Sequence, residues 1–170
     1  VYGIVKGHKG FISVYSEKGH GATFNIYLPA SDEAAVSAMQ ASLVALKGHE
    51  TILLADDESV IAEVTSELLR NLGYQVLVAR SGQEAVDVYL ANPGRIDLVI
   101  MDMIMPGGGG VPAIDKISEI DPGVRVLLSS GYTLNGEVKE VMSKGKTRAF
   151  IQKPFKIGEL SQKIREIMDV

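Results

Sequence analysis

The sequence predicts an α/β protein built on a doubly wound parallel sheet of five strands. Five short apolar segments begin near residues 51, 75, 98, 125 and 149, about 24 residues apart, and such runs are typical of buried parallel strands. Helical patterns lie between them, as expected for a parallel sheet with crossover helices. The first and third segments end in aspartates, at the sheet edge where open α/β sheets bind ligands.

The composition of the 170 residues excludes several classes of function. The formal charge of −4 is not the net positive charge that binding to nucleic acid or an anionic membrane favours. The chain has no cysteine, which excludes a disulfide framework and thiolate chemistry. No apolar run approaches the roughly 18 residues needed to span a membrane, and no signal-peptide pattern opens the chain. The lack of cysteine fits a reducing compartment, and we expect a cytoplasmic location. Because the sequence does not begin with methionine, we expect a piece of a longer parent chain, with any membrane anchor upstream.

Residues 1–30 predict a short helix followed by a β-hairpin. Residues 1–8 have the pattern of a helix end, and residues 11–16 that of a strand. Residues 23–28 alternate apolar and polar side chains after a glycine-rich turn, and Pro29 ends this second strand. A segment of this length cannot bury an independent core, because chains below about 40 residues usually need additional support.

Residues 31–49 predict a helical linker. Ser31 is a candidate N-cap, and four apolar residues follow at helical spacing: Val36, Met39, Leu43 and Leu46. This weak apolar stripe could contact the next domain, or a second copy in a homodimer. His49, followed by Glu50, superficially resembles a phosphorylatable histidine. It precedes a strand rather than lying in a helix bundle, so we interpret it as an exposed linker residue.

The helices between the five strands have individual signals. Apolar residues at helical spacing over 60–72, followed by Gly73, predict the first helix. Residues 81–84 form a capping box that opens the second. Three further helices are predicted over 111–120, 136–144 and 157–168.

The acidic residues at the strand ends predict a metal and phosphate site. Asp56 and Asp57 follow the first strand, Asp102 ends the third, and Lys153 follows the fifth. Two carboxylates about 4 Å apart repel by roughly 4 kcal/mol at an effective dielectric of about 20, so either one is protonated or a cation lies among them. An all-oxygen donor set suits Mg²⁺, and the lysine adds positive charge for an anion. Taken alone, Asp56 and Asp57 could instead be a solvated pair that caps the next helix.

Residues 50–170 resemble a response-regulator receiver domain, which has a flavodoxin-like fold with strand order 2-1-3-4-5. The resemblance is carried by the Asp56-Asp57 pair and by Met101-Asp-Met-Ile-Met-Pro106. It is also carried by Leu-Leu-Ser-Ser-Gly131, Phe150 and Lys153-Pro154-Phe155. It implies two-component signal transduction, in which Asp102 accepts a phosphoryl group from a phosphohistidine.

The resemblance also assigns roles to the other site residues. It implies that Mg²⁺ is held by Asp57, Asp102 and the backbone carbonyl of Ile104, with Asp56 acting through water. Lys153 would pair with the phosphate and Ser130 would hydrogen-bond it. Ser130 and Phe150 would then switch a protein-binding output surface made of residues 136–144, Phe150 and the last helix. The peptide bond before Pro154 is often cis in this family.

Residues 1–29 are similar to the last portion of a histidine kinase ATP-binding domain, on the pattern Ser-Glu-x-Gly-x-Gly-x-x-Phe-x-Ile-x-Leu-Pro over 16–29. Together the two resemblances imply the C-terminal part of a hybrid sensor histidine kinase. We find no ATP-binding motifs and no phosphoacceptor-histidine helix, so we expect this chain to catalyse only its own aspartyl phosphorylation. The implied partners are a histidine kinase donor domain or a histidine phosphotransfer protein, and not nucleic acid or a membrane.

Two rival functions use the same fold. One is a receiver-like interaction module that is not phosphorylated and regulates the kinase to which it is fused. The other is an aspartate-nucleophile phosphatase, which is disfavoured because Ile104 breaks the Asp-x-Asp pattern of that class. Ile104 and Tyr132 occupy positions that tune phosphate loss in the receiver family, and neither aims a short polar group at water, so we expect slow loss. The four glycines at 107–110 predict a mobile loop.

Overall fold

The structure, a computed structural model, describes residues 1–30, 45–131, 147 and 149–169. The chain divides into two compact units, Val1–Ala41 and Ser42–Val170. Among the described residues, no helix has the length and hydrophobicity that crossing a membrane requires. The predicted helix over 136–144 and most of the predicted linker helix lie outside the described residues.

The first unit contains the predicted helix and hairpin. Helix α1 spans Tyr2–Gly7, and strands β1 (Phe11–Glu17) and β2 (Gly21–Tyr27) pair antiparallel. Gly19 in the turn and Gly21 at the start of β2 both have a φ of 86°, a conformation that glycine adopts without strain. Within the described residues 1–30, Val5 is the single buried hydrophobic side chain. This part of the unit therefore buries almost no apolar surface of its own.

The second unit is built on the predicted five-stranded parallel sheet. The strands in chain order are β3 (Thr51–Ala55), β4 (Gln75–Ala79), β5 (Leu98–Asp102), β6 (Val126–Ser130) and β7 (Ala149–Gln152). Their order across the sheet is β4-β3-β5-β6-β7, and every neighbouring pair is parallel. This arrangement confirms the predicted fold class and the 2-1-3-4-5 order. The strands begin within one residue of the predicted positions.

The described helices of this unit also lie where the sequence predicts them. They are α2 (Ser59–Asn71), α3 (Gly82–Ala91), α4 (Val111–Ile120) and α5 (Ile157–Met168). At the start of α3, the Glu84 backbone N–H donates to Ser81 Oγ at 3.2 Å, as the capping box predicts. The Glu84 carboxylate accepts from the backbone N–H of Arg80, one residue before the N-cap, at 2.7 Å.

Two hydrophobic clusters cover the two faces of the sheet. Alternate strand residues point to opposite faces, so Leu53 and Met101 pack with α3 and α4, whereas Leu54 and Ile100 pack with α2 and α5. In α5, Leu160, Ile164 and Ile167 are buried and hold the helix against the sheet. The core is therefore built as two layers, and the carboxyl ends of the strands emerge between them.

Helix α2 buries a different face from the one that its apolar spacing marks. Its buried residues are mostly small or polar: Ala62, Thr65, Ser66 and Leu69. Val60, Val64 and Leu68 are 72%, 52% and 39% exposed. Small side chains let the helix lie close to the sheet, and the larger apolar residues remain on its outer side.

Candidate functional site

Three aspartates meet at the carboxyl ends of β3 and β5. Asp56 follows β3 and is 2% exposed, Asp102 is the last residue of β5 and is 5% exposed, and Asp57 is partly exposed. Carboxylate oxygens of the three residues lie within 4.8 Å of one another. The prediction that the parallel strands deliver these acids to one place is confirmed.

Lys153 lies against two of the three carboxylates. Its Nζ is 2.6 Å from Asp56 Oδ2 and 2.6 Å from Asp102 Oδ2. Burial alone would lower the pKa of Lys153, but the hydrogen bonds to Asp102 and Asp56 outweigh it and hold this pKa above its usual value. The lysine therefore stays charged and offsets part of the acidic charge.

The remaining contacts orient the two buried carboxylates. Asp56 Oδ1 accepts from the Glu58 backbone N–H at 3.0 Å, and Asp102 Oδ1 accepts from the Ile104 backbone N–H at 3.1 Å. Asp56 and Asp57 are not a solvated capping pair, because Asp56 is buried and the N-cap of α2 is Glu58 without a side-chain cap bond. Each buried carboxylate is instead held between a backbone N–H and Lys153.

The donor set fits a hard divalent cation. Three carboxylates and one ammonium group leave a formal charge of −2 in a partly buried site. Repulsion among these carboxylates destabilises their charged forms unless a cation binds between them. Oxygen donors of this kind are the ligands that Mg²⁺ prefers, usually with several waters retained.

The other predicted residues lie on the neighbouring strands. Ser130, 2% exposed, ends β6, and its backbone carbonyl accepts from the Lys153 backbone N–H at 2.8 Å. Phe150 in β7 is partly buried and packs against the cluster on the α3 and α4 face. The Lys153-Pro154 peptide bond is cis, as the resemblance leads us to expect.

The glycine-rich loop after β5 folds tightly beside Asp102. Gly107, Gly108 and Gly109 have φ values of 83°, 106° and 80°, which other residues rarely adopt. A side chain at Gly109 would meet the Met103 carbonyl oxygen at 2.5 Å. The backbone N–H of Gly109 donates to the Met105 carbonyl at 3.0 Å. The positive φ values account for glycine at 107–109, and the close Met103 carbonyl is a second reason at Gly109. Mobility of the loop stays a prediction.

Sequence reasoning missed an apolar groove that opens onto the acidic site. Its volume is about 730 Å³. Acidic-site residues Asp57, Asp102 and Lys153 line one part of it, and the apolar lining includes Ile61, Val64, Leu68, Ile104 and Phe155. The signal for it was the stripe of large apolar residues in α2, beside a second face of smaller residues.

Comparison with known proteins identifies related sequences. Residues 52–165 match the family described as response regulator receiver domain. The chain is 30% identical to Sporulation initiation phosphotransferase F of Bacillus subtilis, over 71% of this chain and 94% of that protein. It is 31% identical to Sensor kinase CckA of Brucella abortus over 99% of this chain. That match spans only 19% of the longer protein.

Solved structures show the same fold. The response regulator TrrA from Thermotoga maritima, in complex with Mg²⁺ and BeF, matches with a TM-score of 0.61 and 29% identity, over 69% of this chain and 98% of that chain. The receiver domain of hybrid histidine kinase CckA matches with a TM-score of 0.59 and 32% identity, with the same coverages. Among these structures, the first was solved with the class of cation that the acidic cluster fits.

Proposed function

The chain belongs to the response regulator receiver domain family, and from this premise we propose that Asp102 accepts a phosphoryl group from a phosphohistidine in a Mg²⁺-dependent reaction. The observation that carries the proposal is the geometry around Asp102. Its carboxylate is nearly buried, clustered with two other acids and 2.6 Å from a lysine ammonium group. A domain kept only for contacts gains nothing from acids that repel one another.

Asp102 is the nucleophile in this proposal. One carboxylate oxygen forms the new O–P bond as the N–P bond of the phosphohistidine breaks, and the electron pair of that bond returns to the imidazole nitrogen. Oδ1 accepts one hydrogen bond from Ile104 and Oδ2 accepts one from Lys153. Each carboxylate oxygen has two lone pairs, so one remains for attack.

Lys153 and Ser130 would bind the incoming phosphoryl oxygens. Phosphoryl transfer requires mainly positioning and charge stabilisation from the protein. The Lys153 ammonium group already lies against Asp102, so it can exchange a carboxylate contact for a phosphoryl contact without leaving the site. Ser130 ends the strand beside Asp102 and is our proposed hydrogen-bond donor, and with Phe150 our proposed switch.

The proposed Mg²⁺ ligands are Asp57, Asp102 and the Ile104 carbonyl, with Asp56 acting through water. The clustering of the three carboxylates within 4.8 Å supports this assignment. When bound, the ion supplies charge neutralisation for the transferring phosphoryl oxygens. Beyond this ion, the chain's own residues would supply the nucleophile and the groups that bind the phosphoryl oxygens.

The apolar groove supports a protein as the phosphodonor. Val64 and Leu68 of α2 line the groove that opens onto Asp102, so a protein donor seated in this groove would cover them. An amphipathic helix with apolar residues at i, i+3, i+4 and i+7 fits such a surface. We propose that the phosphohistidine-bearing domain of a histidine kinase, or a histidine phosphotransfer protein, docks there.

We further propose that the chain is the C-terminal part of a hybrid sensor histidine kinase. Similarity to Sensor kinase CckA over 99% of this chain includes residues 1–30 as well as the receiver domain. On this assignment, residues 1–30 end the kinase ATP-binding domain, 31–49 are the linker and 50–170 are the receiver. Phosphorylation at Asp102 would then regulate that kinase or feed a phosphorelay.

The test is phosphorylation of the chain by a small phosphodonor, followed by the mass of the intact protein. With Mg²⁺ and acetyl phosphate we expect a gain of one phosphoryl group, lost in Asp102→Asn and in the presence of a chelator. Asp87→Asn is the matched control, because Asp87 is exposed on α3. Mg²⁺ binding without phosphorylation would point to a donor-specific receiver or to the interaction module, and failure of both would overturn the catalytic assignment.

A further inference from the structure

Residues 45–50 lie at the end of the sheet opposite the acidic site, where a hydrogen bond and an ion pair hold them. The Leu46 backbone N–H donates to Ser161 Oγ at 3.0 Å, and Ser161 is fully buried. The Glu50 carboxylate forms an ion pair with Arg165. Both partners belong to α5, so this helix holds the segment that leads into β3. We name residues 45–50 the entry segment.

The entry segment is also fitted against the turn between α2 and β4. The Gly48 backbone N–H donates to the Leu72 carbonyl at 3.1 Å. A side chain at Gly48 would collide with the Tyr74 ring, and one at Gly73 would meet the Gly48 carbonyl oxygen at 2.4 Å. The entry segment is therefore packed and hydrogen-bonded against the rest of its unit. The predicted linker helix does not extend over it, because residues 45–50 are not helical.

Helix α5 connects the entry segment with the acidic site. Lys153 contacts Asp56 and Asp102, and α5 begins four residues later at Ile157. Its 12 residues extend for about 18 Å, and Ser161 and Arg165 occupy its second and third turns. One end of α5 therefore lies beside the acidic site, and its second and third turns contact the entry segment. A rigid helix in this position can transmit a structural change from the acidic site to the entry segment.

We propose that α5 couples the phosphorylation state of Asp102 to the entry segment. The inference rests on the proposed function. A phosphoryl group adds close to two negative charges, and Lys153 must turn from the carboxylates towards it. Helices at the subunit interfaces of allosteric proteins shift by about 1–2 Å, and we expect a displacement of this size for α5. A shift of that size would lengthen the 3.0 Å distance between Leu46 N and Ser161 Oγ beyond the roughly 3.2 Å limit of an N–H···O hydrogen bond.

The geometry predicts an uneven response within the entry segment. The hydrogen bond from Leu46 is accepted by a residue of α5, so it should weaken when a phosphoryl group or its analogue is bound at the acidic site. The Gly48 hydrogen bond goes to the Leu72 carbonyl, just after α2, and should persist. The Glu50–Arg165 pair joins two long side chains that can follow a small shift. The hydrogen bond that attaches Leu46 to α5 would thus be lost, whereas the position of β3 would not change.

The test measures amide hydrogen exchange by NMR on the full chain with Mg²⁺, before and after addition of beryllofluoride as the phosphoryl probe. We expect exchange at Leu46 to rise by about fivefold to tenfold, the equivalent of one hydrogen bond, with little change at Gly48. The Asp57 and Ile104 amides report in the same spectra whether the probe has bound the acidic site.

Variants in α5 separate the coupling from a general loosening. Ser161→Ala should raise Leu46 exchange without the probe and abolish the further response. Lys163→Gln is the matched control on the same helix, because Lys163 pairs with Glu166 and not with the entry segment. Unchanged exchange at Gly48 verifies that each variant is folded.

The outcomes distinguish this inference from the proposed function. A response at Asp57 and Ile104 with none at Leu46 would overturn the coupling and leave the phosphoryl site intact. No response at any of these amides would overturn the proposed function, and the coupling with it. An equal Leu46 response in Asp102→Asn would show that the effect does not originate at the acidic site, and would also overturn the coupling.

Discussion

Lys153 is the residue on which the charge balance of the acidic site depends. Its ammonium group is the single cation within 4.0 Å of Asp56 and Asp102 among the residues that the structure describes. Replacing it with glutamine leaves the two buried carboxylates without their counter-charge. Because the same group would stabilise the transferred phosphoryl oxygens, we expect Lys153→Gln to slow phosphorylation of Asp102 by about 10²–10³.

The measurement for Lys153→Gln is the rate of phosphoryl incorporation at saturating Mg²⁺. Mg²⁺ binding should survive and tighten, because the variant site is more negative. Lys156→Gln, on an exposed residue at the N-cap of α5, is the matched control. A variant that is phosphorylated at the wild-type rate would remove Lys153 from the proposed chemistry.

Ile104 should set the lifetime of the phosphorylated form. It is 56% exposed and lines the groove beside Asp102, and its side chain cannot hydrogen-bond an attacking water. Ile104→Asn places an amide there, so we expect phosphate loss to accelerate by about threefold to tenfold, the range of one added hydrogen bond. The decay of phosphorylated protein after donor removal measures this, with Ile104→Leu as the apolar control. An unchanged decay rate would contradict the expectation of slow loss.

At the scale of elements, α2 presents its large apolar residues outward. We expect Val64→Ser to weaken the proposed donor interface. Losing the burial of one valine, about 1.5 kcal/mol, should lower kcat/KM for transfer from a phosphohistidine protein by about tenfold. Phosphorylation by acetyl phosphate should be unchanged, because a small donor does not need the groove.

The matched control for Val64→Ser is Leu90→Ser. Leu90 is 54% exposed, close to the 52% of Val64, but it belongs to α3 and does not line the groove. Equal losses in both variants, or a loss with both donors, would show that the groove is not the docking surface.

The contact between the entry segment and α5 should depend on pH. Burial alone would raise the pKa of Glu50, but hydrogen bonds from Arg165 and the backbone outweigh it and leave this pKa below its usual 4.5. A carboxyl group whose pKa is lowered by folding stabilises the protein above that value. This contribution is lost as the pH falls through the lowered pKa.

We therefore expect Glu50→Gln to reduce the free energy of unfolding by about 1–2 kcal/mol at pH 7. The difference from wild type should shrink as the pH falls below 4.5. Urea unfolding at a series of pH values measures this. Glu166→Gln removes an exposed pair with Lys163 and should show little effect at any pH. A difference that grows in acid would contradict the assignment.

At the scale of the whole molecule, the sequence predicted the fold and the acidic cluster for the same reason. Parallel strands that are buried on both faces have continuous apolar sequences, so β3 and β5 could be located. The residues that follow parallel strands lie at the same edge of the sheet, so the acidic residues were expected to meet there. The buried face of α2 could not be predicted from hydrophobicity, because close approach to the sheet selected Ala62 and Ser66 over larger side chains. The fit of Gly48 against Tyr74 joins segments far apart in sequence, and no local pattern encodes it.

The division of the chain into two units leads to a prediction about stability. Both hydrophobic clusters lie entirely within Ser42–Val170, whereas the described residues 1–30 bury a single hydrophobic side chain. Cooperative unfolding depends on a core of this kind. We therefore expect residues 42–170 alone to unfold in one cooperative transition and to incorporate a phosphoryl group at Asp102 at the same rate as the full chain. Circular dichroism during urea unfolding, with intact mass after acetyl phosphate treatment, tests both. A truncated chain that lacks a cooperative transition would mean that the receiver unit depends on residues 1–41 for its fold.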